Sequence, residues 1–277
     1  MTNLDGKELR KKKLELLKKK LELINKQLGL VVIQIGDNEA SNVYVKQKEK
    51  LANELNYKFI HKKFEENTTN EEVIEYINKL NKDNTIQGII VQMPLPKHLN
   101  TSLIQNSIIP SKDVDGLTFL NSGKLLHNEE CLIPCTPKGI IDLLDEYNIE
   151  IEGKNAVVIG RSILVGKPIA EILTSRNATV TLCHSKTNNI EYYTKNADII
   201  VVAIGKPNFL KSEMVKENSC IIDVGITRIN NKLYGDVDYE NVSKKVAYIT
   251  PVPGGVGPMT VYELMNNVYE ANNLTLK

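Results

Sequence analysis

The chain has 277 residues, of which 42% are hydrophobic and 25% charged, a composition typical of globular proteins and a length that favours two domains. Its 35 basic and 34 acidic side chains nearly cancel, so the charge balance argues against a nucleic-acid-binding or acidic-membrane-binding protein. No segment has about 18 consecutive apolar residues, and we therefore expect no membrane-spanning helix.

The lysine-rich N-terminus predicts an amphipathic helix. Apolar residues step by three and four and so share one helix face, at Leu14, Leu17, Leu21, Ile24 and Leu28. Glu8, Glu15 and Glu22 are interleaved with the lysines, which argues against a secretory signal and against a transit peptide. We interpret the lysines as a solvated helix face.

The cysteine pattern favours a cytoplasmic protein. Cys131, Cys135, Cys183 and Cys220 form neither a CxxC pair nor a zinc-type cluster with histidine. We expect reduced thiols and no metal site.

Strands and helices alternate in the first half of the chain. Strands are predicted at 30–35, 57–64 and 88–92, with helices at 40–55 and 71–80. This alternation predicts βαβ units and a largely parallel sheet.

Side chains suited to chemistry lie in this first half. Tyr44 and Lys48 are four residues apart and share a face of a predicted helix, which places an amine near any planar ligand stacked on the ring. Gln92 ends a predicted strand, where ligands of open α/β sheets bind. Asp113 and Asp115 lie on one side of the segment if it is extended. The alternatives are a surface aromatic beside a solvated lysine, and a simple turn before glycine.

A domain junction is predicted near residue 136. Thr136 and Pro137 have the N-cap and N1 pattern of a helix start. A second series of short apolar strands follows, at 156–159, 179–183, 199–203 and 220–223.

A glycine-bearing turn after the first of these strands indicates a nucleotide site. Gly160 and Gly166 precede a helical run, and such a turn presents backbone N–H groups and a helix N-terminus to a phosphate. The G-x5-G spacing departs from G-x-G-x-x-G, so a purely structural turn is the alternative. An NAD site usually has an acid after the next strand, whereas this strand is followed by hydroxyls and a base. Arg161 and Ser185 are suited to a 2′-phosphate, and we predict NADP over NAD.

The segment TPVPGGVGPMT at 250–260 has three prolines, three glycines and no charge. Glycine permits close backbone approach and proline fixes the chain, so we interpret the segment as a site wall rather than an ordinary connector. A helix is expected to start at Thr260, with Glu263 completing a capping box.

Nine motifs in order carry a resemblance to a known family. They are GDNEASNVYVKQK at 36–48, GIIVQMPLP at 88–96, KDVDG at 112–116, PCTPKG at 134–139, VVIGRSILVGKP at 157–168, CHSK at 183–186, IIDVGI at 221–226, GDVD at 235–238 and TPVPGGVGPMT at 250–260. The chain closely resembles the bifunctional methylenetetrahydrofolate dehydrogenase/methenyltetrahydrofolate cyclohydrolase family. The motifs cover nearly its whole length.

The resemblance implies a fold and a domain division. We expect two α/β domains: a three-layer folate-binding catalytic domain at 1–136 plus 260–277, and a Rossmann-like NADP-binding domain with a parallel sheet at 137–259. The C-terminal helix is expected to return to the first domain, and the protein is expected to be a homodimer.

The resemblance also implies the reactions and the site. Members oxidise 5,10-methylenetetrahydrofolate with NADP+ and hydrolyse the resulting methenyl cation to 10-formyltetrahydrofolate. The matched catalytic and folate-binding positions are Tyr44 for stacking on the folate ring system, Asp115 for the pterin edge, and Lys48 with Gln92 at the one-carbon bridge. The matched NADP-contacting positions are Gly160, Arg161, Ser162, Ser185 and Ile226. Pro253, Gly254 and Gly255 are expected to lie against the substrates.

The chemistry is consistent with these assignments. Hydride transfer needs mainly positioning, because the cofactor carries the difficult step. Hydrolysis needs an activated water, and a lysine beside a cationic ligand and removed from bulk water loses its proton more easily. Lys48 is therefore the hypothesised general base.

Two other functions are the alternatives, namely a shikimate-type NADP dehydrogenase and a non-catalytic nucleotide-binding module. Neither explains the motifs of the first half of the chain.

Overall fold

The computed structural model of the chain describes residues 1–24, 26–230 and 232–274. Its strands and helices are, in order, β1 (Thr2–Asn3), α1 (Gly6–Glu22), β2 (Gly29–Ile35), α2 (Glu39–Glu54), β3 (Lys58–Phe64), α3 (Asn70–Lys82), β4 (Gly88–Val91), α4 (Thr101–Gln105), α5 (Phe119–Leu126), α6 (Cys135–Glu146), β5 (Asn155–Ile159), α7 (Gly166–Ser175), β6 (Thr179–Cys183), α8 (Ile190–Thr194), β7 (Ile199–Val202), β8 (Cys220–Asp223), β9 (Thr227–Ile229), β10 (Lys232–Tyr234), α9 (Tyr239–Val242), β11 (Tyr248–Ile249) and α10 (Val256–Leu274). None of the described helices is both long and apolar enough to cross a membrane.

The chain divides into two compact units. We call them the 14–135 unit, which comprises Leu14–Cys135 and Glu263–Lys277, and the 136–262 unit, which comprises Met1–Lys13 and Thr136–Tyr262. Each has its own parallel sheet, as the alternation of strands and helices predicts. The predicted two-domain α/β fold is confirmed.

The 14–135 unit contains a three-stranded sheet in the order β3-β2-β4, with all strands parallel. Every residue of β2 is buried, as expected for a central strand covered on both faces. Its odd-numbered side chains pack in one core cluster with β4 and α3. The polar residues that follow β2 and β4 therefore lie at the same edge of the sheet.

The C-terminal part of α10 belongs to the 14–135 unit, as predicted. The Tyr57 hydroxyl donates to the carbonyl of Met265 over 3.0 Å, and the Asn267 amide donates to the carbonyls of Val114 and Ile133 over 2.9 and 2.8 Å. These bonds attach the helix to the segment that carries Asp115.

Two predicted helix starts differ from the structure. The last helix begins at Val256 rather than at Thr260, because Pro258 falls in the first turn, where a missing N–H costs nothing. The Thr260 hydroxyl lies 3.0 Å from that of Thr136 and does not cap the helix. Similarly, α6 begins at Cys135, so Thr136 lies inside the first turn instead of at its cap.

The 136–262 unit contains a six-stranded parallel sheet in the order β1-β11-β8-β7-β5-β6. Its central strands β5, β7 and β8 are almost wholly buried. The turns that follow β5, β6, β7 and β8 share one edge, where ligands of open parallel sheets bind.

The observed division differs from the predicted one at both ends of the chain. Residues 1–13 were expected in the first domain but belong to the 136–262 unit, because β1 pairs with β11 and the Gly6 N–H donates to the Gly254 carbonyl over 2.9 Å. Residues 260–262 also belong to the 136–262 unit.

Asparagine shares the left-handed backbone positions of the described residues with glycine. The non-glycine residues with positive φ among those described are Asn56, Asn128, Asn148, Asn177, Asn189, Asn208, Asn218 and Asn230. The first four each follow a helix, and the paired bonds of a Schellman motif surround them, such as Asn56 N–H to Asn53 carbonyl and Tyr57 N–H to Ala52 carbonyl. Asparagine therefore ends four helices where glycine is the commoner residue.

Candidate active site and cofactor site

Lys48 and Gln92 meet at the carboxyl edge of the sheet in the 14–135 unit. The Lys48 Nζ donates to Gln92 Oε1 over 2.8 Å, and both side chains are partly buried. Gln92 is held at the end of β4 because its N–H donates to the Ile33 carbonyl of β2 over 2.8 Å. Tyr44, one turn before Lys48 on α2, is 48% exposed. The structure thus presents an amine, an amide and an open aromatic ring together.

The backbone carbonyl of Met93 holds this arrangement in place. It accepts from the Gln92 Nε2 over 2.9 Å and from the buried Ser41 hydroxyl over 3.2 Å. Because the Gln92 amide nitrogen is engaged there, its oxygen is directed toward Lys48. Ser41 lies in the matched motif, but its role is not apparent from the sequence, since its partner lies 52 residues away.

Asp115 is a carboxylate in a partly buried position. Burial raises its pKa above the ordinary value, the Lys48 ammonium opposes that rise, and the charge of Asp113 adds to it. Lys48 is therefore close enough for electrostatic interaction with Asp115. None of the hydrogen bonds of the described residues involves the Asp115 carboxylate, which leaves it available to a ligand.

The other charged residues of the KDVDG motif are structural. Buried Lys112 donates to the carbonyls of Leu80, Asn81 and Asp83 over 2.7–3.0 Å and so satisfies the C-terminal end of α3. Buried Asp113 accepts from the Thr118 N–H over 2.8 Å and from the Asn121 amide. The two acids of the motif thus differ: hydrogen bonds within the fold engage the Asp113 carboxylate, whereas the Asp115 carboxylate is available to a substrate.

In the 136–262 unit, the turn between β5 and α7 requires glycine at two positions. Gly160 has φ +121°, and a Cβ there would overlap the Ala203 carbonyl oxygen. A Cβ on Gly166 would overlap the Gly160 carbonyl oxygen. Close backbone packing alone therefore accounts for both glycines. This supports in part the alternative that the turn is purely structural and binds no nucleotide. The turn also leaves the N-terminus of α7 beside exposed residues.

The polar residues of this turn lie at the same sheet edge as a second turn, which follows the neighbouring strand. Arg161 and Ser162 are exposed, and the Ser162 hydroxyl accepts from the N–H groups of Val165 and Gly166 over 3.2 and 3.4 Å. Because Ile159 of β5 pairs with Cys183 of β6, the exposed Ser185 follows the adjacent strand. The helix N-terminus, a guanidinium and two hydroxyls at one sheet edge fit a phosphorylated dinucleotide.

Ile226 is 48% exposed in the segment that follows β8. A Cβ on Gly257 would lie 3.5 Å from the Ile226 Cδ1, which is an ordinary contact distance. Ile226 therefore lies beside the first turn of α10, at the same edge of the sheet.

The glycines before α10 pack against the chain itself. A Cβ on Gly255 would lie 2.6 Å from the Thr250 Cβ, and one on Gly6 would overlap the Gly255 carbonyl oxygen. A side chain at position 255 would therefore require the 250–251 segment to shift. Gly254 is buried with φ +118°, while Pro253 is exposed after a cis peptide bond. Their approach to a ligand stays a prediction.

Comparison with known proteins identifies the family of this chain. The family profile "Tetrahydrofolate dehydrogenase/cyclohydrolase, catalytic domain" matches residues 4–115, and the profile of the NAD(P)-binding domain of the same family matches residues 134–276. The chain belongs to the tetrahydrofolate dehydrogenase/cyclohydrolase family. The predicted resemblance is confirmed, and the shikimate-type alternative is wrong.

Relatives in this family match over their full length. "Bifunctional protein FolD" of Acetivibrio thermocellus is 49% identical over 99% of this chain and 98% of its own. The crystal structure of the bifunctional enzyme FolD from Campylobacter jejuni has a TM-score of 0.97 at 48% identity and covers 99% of both chains. The Trypanosoma brucei dehydrogenase-cyclohydrolase, described as complexed with NADP cofactor and inhibitor, has a TM-score of 0.94 at 32% identity over 100% of this chain and 98% of its own.

Family membership confirms the predicted activities at the level of the family. This tetrahydrofolate dehydrogenase/cyclohydrolase is a bifunctional enzyme, a methylenetetrahydrofolate dehydrogenase and a methenyltetrahydrofolate cyclohydrolase with an NADP-binding domain. The alternative of a non-catalytic nucleotide-binding module is wrong, since the catalytic domain is present.

Proposed function

We propose that the 14–135 unit holds the reduced folate and that Tyr44, Lys48, Gln92 and Asp115 carry its chemistry. The observation that supports this proposal most directly is the 2.8 Å hydrogen bond between Lys48 and Gln92 at the carboxyl edge of the sheet. The exposed Tyr44 ring stacks on the flat ring system of the folate. The Asp115 carboxylate accepts from N–H groups of the pterin edge.

In the hydrolytic reaction, Lys48 acts as the general base. A water molecule attacks the electrophilic methenyl carbon, and Lys48 takes the proton that this water loses. The bond from that carbon to N5 then breaks as the remaining hydroxyl proton passes to N5, which leaves the formyl group on N10. Gln92 orients the Lys48 amine through Oε1, because its own nitrogen is fixed on the Met93 carbonyl.

We assign the NADP site to the turns after β5, β6 and β8 in the 136–262 unit. NADP+ supplies the hydride acceptor for the dehydrogenase reaction. Gly160 and Ser162 with the N-terminus of α7 bind the pyrophosphate, Arg161 and Ser185 bind the 2′-phosphate, and Ile226 contacts the nicotinamide end. The exposed residues 161–164 before α7, which include the Arg161 guanidinium, support this assignment.

The test is a paired assay on one preparation. Hydride transfer is measured at 340 nm with methylenetetrahydrofolate and NADP+, and methenyltetrahydrofolate hydrolysis is measured without dinucleotide. We expect both activities, with a clear preference for NADP+ over NAD+. Absence of turnover with either folate would contradict the proposed site.

We further propose a homodimer in which the edge strand β3 pairs with a second copy. β3 lies at one end of the three-stranded sheet and its side chains are mostly half-exposed or exposed. An unpaired strand edge is a template for another chain. Light scattering should give twice the chain mass of 31.1 kDa, and a monomer at micromolar concentration would contradict the proposal.

Finally, we propose that the protein is cytoplasmic. The four cysteines are free, and three of them are buried, which suits a reducing compartment. Fractionation of the producing cells tests this, and enrichment outside the cytoplasm would contradict it.

A further inference from the structure

Two buried carboxylates lie beside the proposed NADP site, and neither belongs to the residues assigned to it. Asp223 is the last residue of β8 and is 3% exposed, while Asp236 follows β10 and is fully buried. Buried acids are rare unless hydrogen bonds hold them. Their partners therefore indicate what they do.

Asp223 closes the base of the β9–β10 hairpin. Its Oδ1 accepts from the N–H groups of Gly225 and Asp236 over 3.1 and 2.8 Å, and its Oδ2 accepts from Val237 over 3.0 Å. One side chain thus binds both ends of the 225–236 segment. Ile226, a proposed contact of the dinucleotide, is the second residue of that segment.

Asp236 connects this segment to the loop after β7. Its Oδ2 accepts from the N–H groups of Ile204 and Gly205 over 2.7 and 3.0 Å. The same carboxyl lies directly against Gly225, where a Cβ would overlap it. Asp236 therefore sets the separation between the loops that follow β7 and β8.

The loop after β7 also packs against the turn between β5 and α7, which is proposed to bind the pyrophosphate. A Cβ on Gly160 would overlap the Ala203 carbonyl oxygen, and Ala203 directly precedes Ile204. On one side, Asp236 therefore contacts the loop after β7, which in turn packs on Gly160. On the other side, Asp236 contacts Gly225, which directly precedes Ile226. Two proposed NADP-contacting positions are joined through one carboxylate.

The Asp236 carboxylate is not fully satisfied by the fold. Its Oδ1 is buried and has no hydrogen-bond partner among the described residues. A buried unpaired carboxylate oxygen is unfavourable for stability, so stability alone does not account for an acid at this position.

We propose that Asp236, supported by Asp223, is a positioning residue for NADP, which holds the loops after β7 and β8 at the separation that the dinucleotide requires. This inference rests on the proposed placement of NADP in the 136–262 unit. It assigns no contact between Asp236 and the ligand. Its effect passes through the backbone at 203–205 and 225–226.

The experiment measures NADP+ binding directly, by isothermal titration, together with both activities. Asp236→Ala removes the acceptor of two N–H groups and should raise the Kd and KM for NADP+ roughly 10- to 100-fold, the range for hydrogen bonds to a charged group. Hydrolysis of methenyltetrahydrofolate, which uses no dinucleotide, should keep its native rate. Asp236→Asn retains a carbonyl oxygen for both N–H groups and should restore most of the affinity.

The matched control is Glu240→Gln, the same type of change at an exposed acid four residues further on, which should leave the Kd unchanged. If Asp236→Ala does not fold, Gly225→Ala displaces the same carboxyl and should raise the Kd in the same way. Native NADP+ affinity in the alanine variants, equal loss of both activities, or no rescue by Asp236→Asn would overturn the inference. If the wild-type protein bound no NADP+, the proposed function itself would fail.

Discussion

Lys48 and Gln92 lie 44 residues apart in the chain, yet their side chains share a hydrogen bond of 2.8 Å. One comes from a helix that follows β2 and the other from the end of β4, the strand paired with β2. Parallel pairing therefore brings a base candidate and its orienting amide to the same place.

Lys48→Met should lower the cyclohydrolase rate by roughly 10²- to 10⁴-fold, the usual range for general acid–base catalysis. Methionine keeps much of the side-chain volume but removes the amine. The rate of methenyltetrahydrofolate hydrolysis measures the effect, with Lys46→Met, an exposed lysine on the same helix, as the control. Hydrolysis at the native rate would show that Lys48 is not the base.

Ser41→Ala should lower kcat for hydrolysis by about 3- to 10-fold, as the loss of one neutral hydrogen bond predicts. Without the hydroxyl, only Gln92 holds the Met93 carbonyl, and the amide is oriented less firmly toward Lys48. Steady-state kinetics measures this effect, and Ser122→Ala at an exposed serine of the same unit is the control. An unchanged kcat for Ser41→Ala would remove the orienting role.

Arg161→Gln should raise the KM for NADP+ by roughly 10- to 100-fold, since it removes a charged partner of the 2′-phosphate. NAD+ lacks that phosphate, so its KM is the internal control and should change little. Equal losses with both dinucleotides would place Arg161 elsewhere in the site.

Asp223 should make stability depend on pH. Burial raises its pKa to about 7 although three N–H groups favour the charged form. Between the ordinary value of 3.8 and about 7 the folded protein keeps a proton that the unfolded chain has released. This raised pKa therefore stabilises the fold at low pH, and the contribution is lost as the pH rises to about 7.

Asp223→Asn tests this dependence. The difference in unfolding free energy between wild type and variant should change by about 1.4 kcal/mol per pH unit across that window, the equivalent of one proton. Denaturant unfolding at several pH values measures it. A difference that does not vary with pH would mean that Asp223 is charged throughout.

Gly255→Ala should destabilise the protein by about 1–3 kcal/mol, the usual penalty of overpacking, because its Cβ would lie 2.6 Å from that of Thr250. Gly257→Ala meets only Ile226 at 3.5 Å and should not lower stability, since alanine favours the helix. Thermal unfolding compares the two variants. Equal melting temperatures would contradict the steric difference.

Much of the fold and the placement of Tyr44, Lys48 and Gln92 follow from periodicity and strand ends, which are local properties, whereas Asp115 is assigned by its match to the KDVDG motif. Ser41 and Asp236 could not be assigned in this way, because they bind backbone groups 52 and about 30 residues away. The helix start at Val256 is not apparent from the sequence, because a proline in a first turn resembles a helix break. The need for glycine at position 6 is visible only in its packing against Gly255.

The asparagines that end four helices have a consequence for the ageing of the protein. Asparagine is more thermolabile than the glycine usually found at such positions. Chemical change at Asn56, Asn128, Asn148 or Asn177 would act on the backbone bonds that end a helix, while leaving the apolar interior intact. Prolonged heating would therefore fray these helices from their C-terminal ends before the sheets are affected.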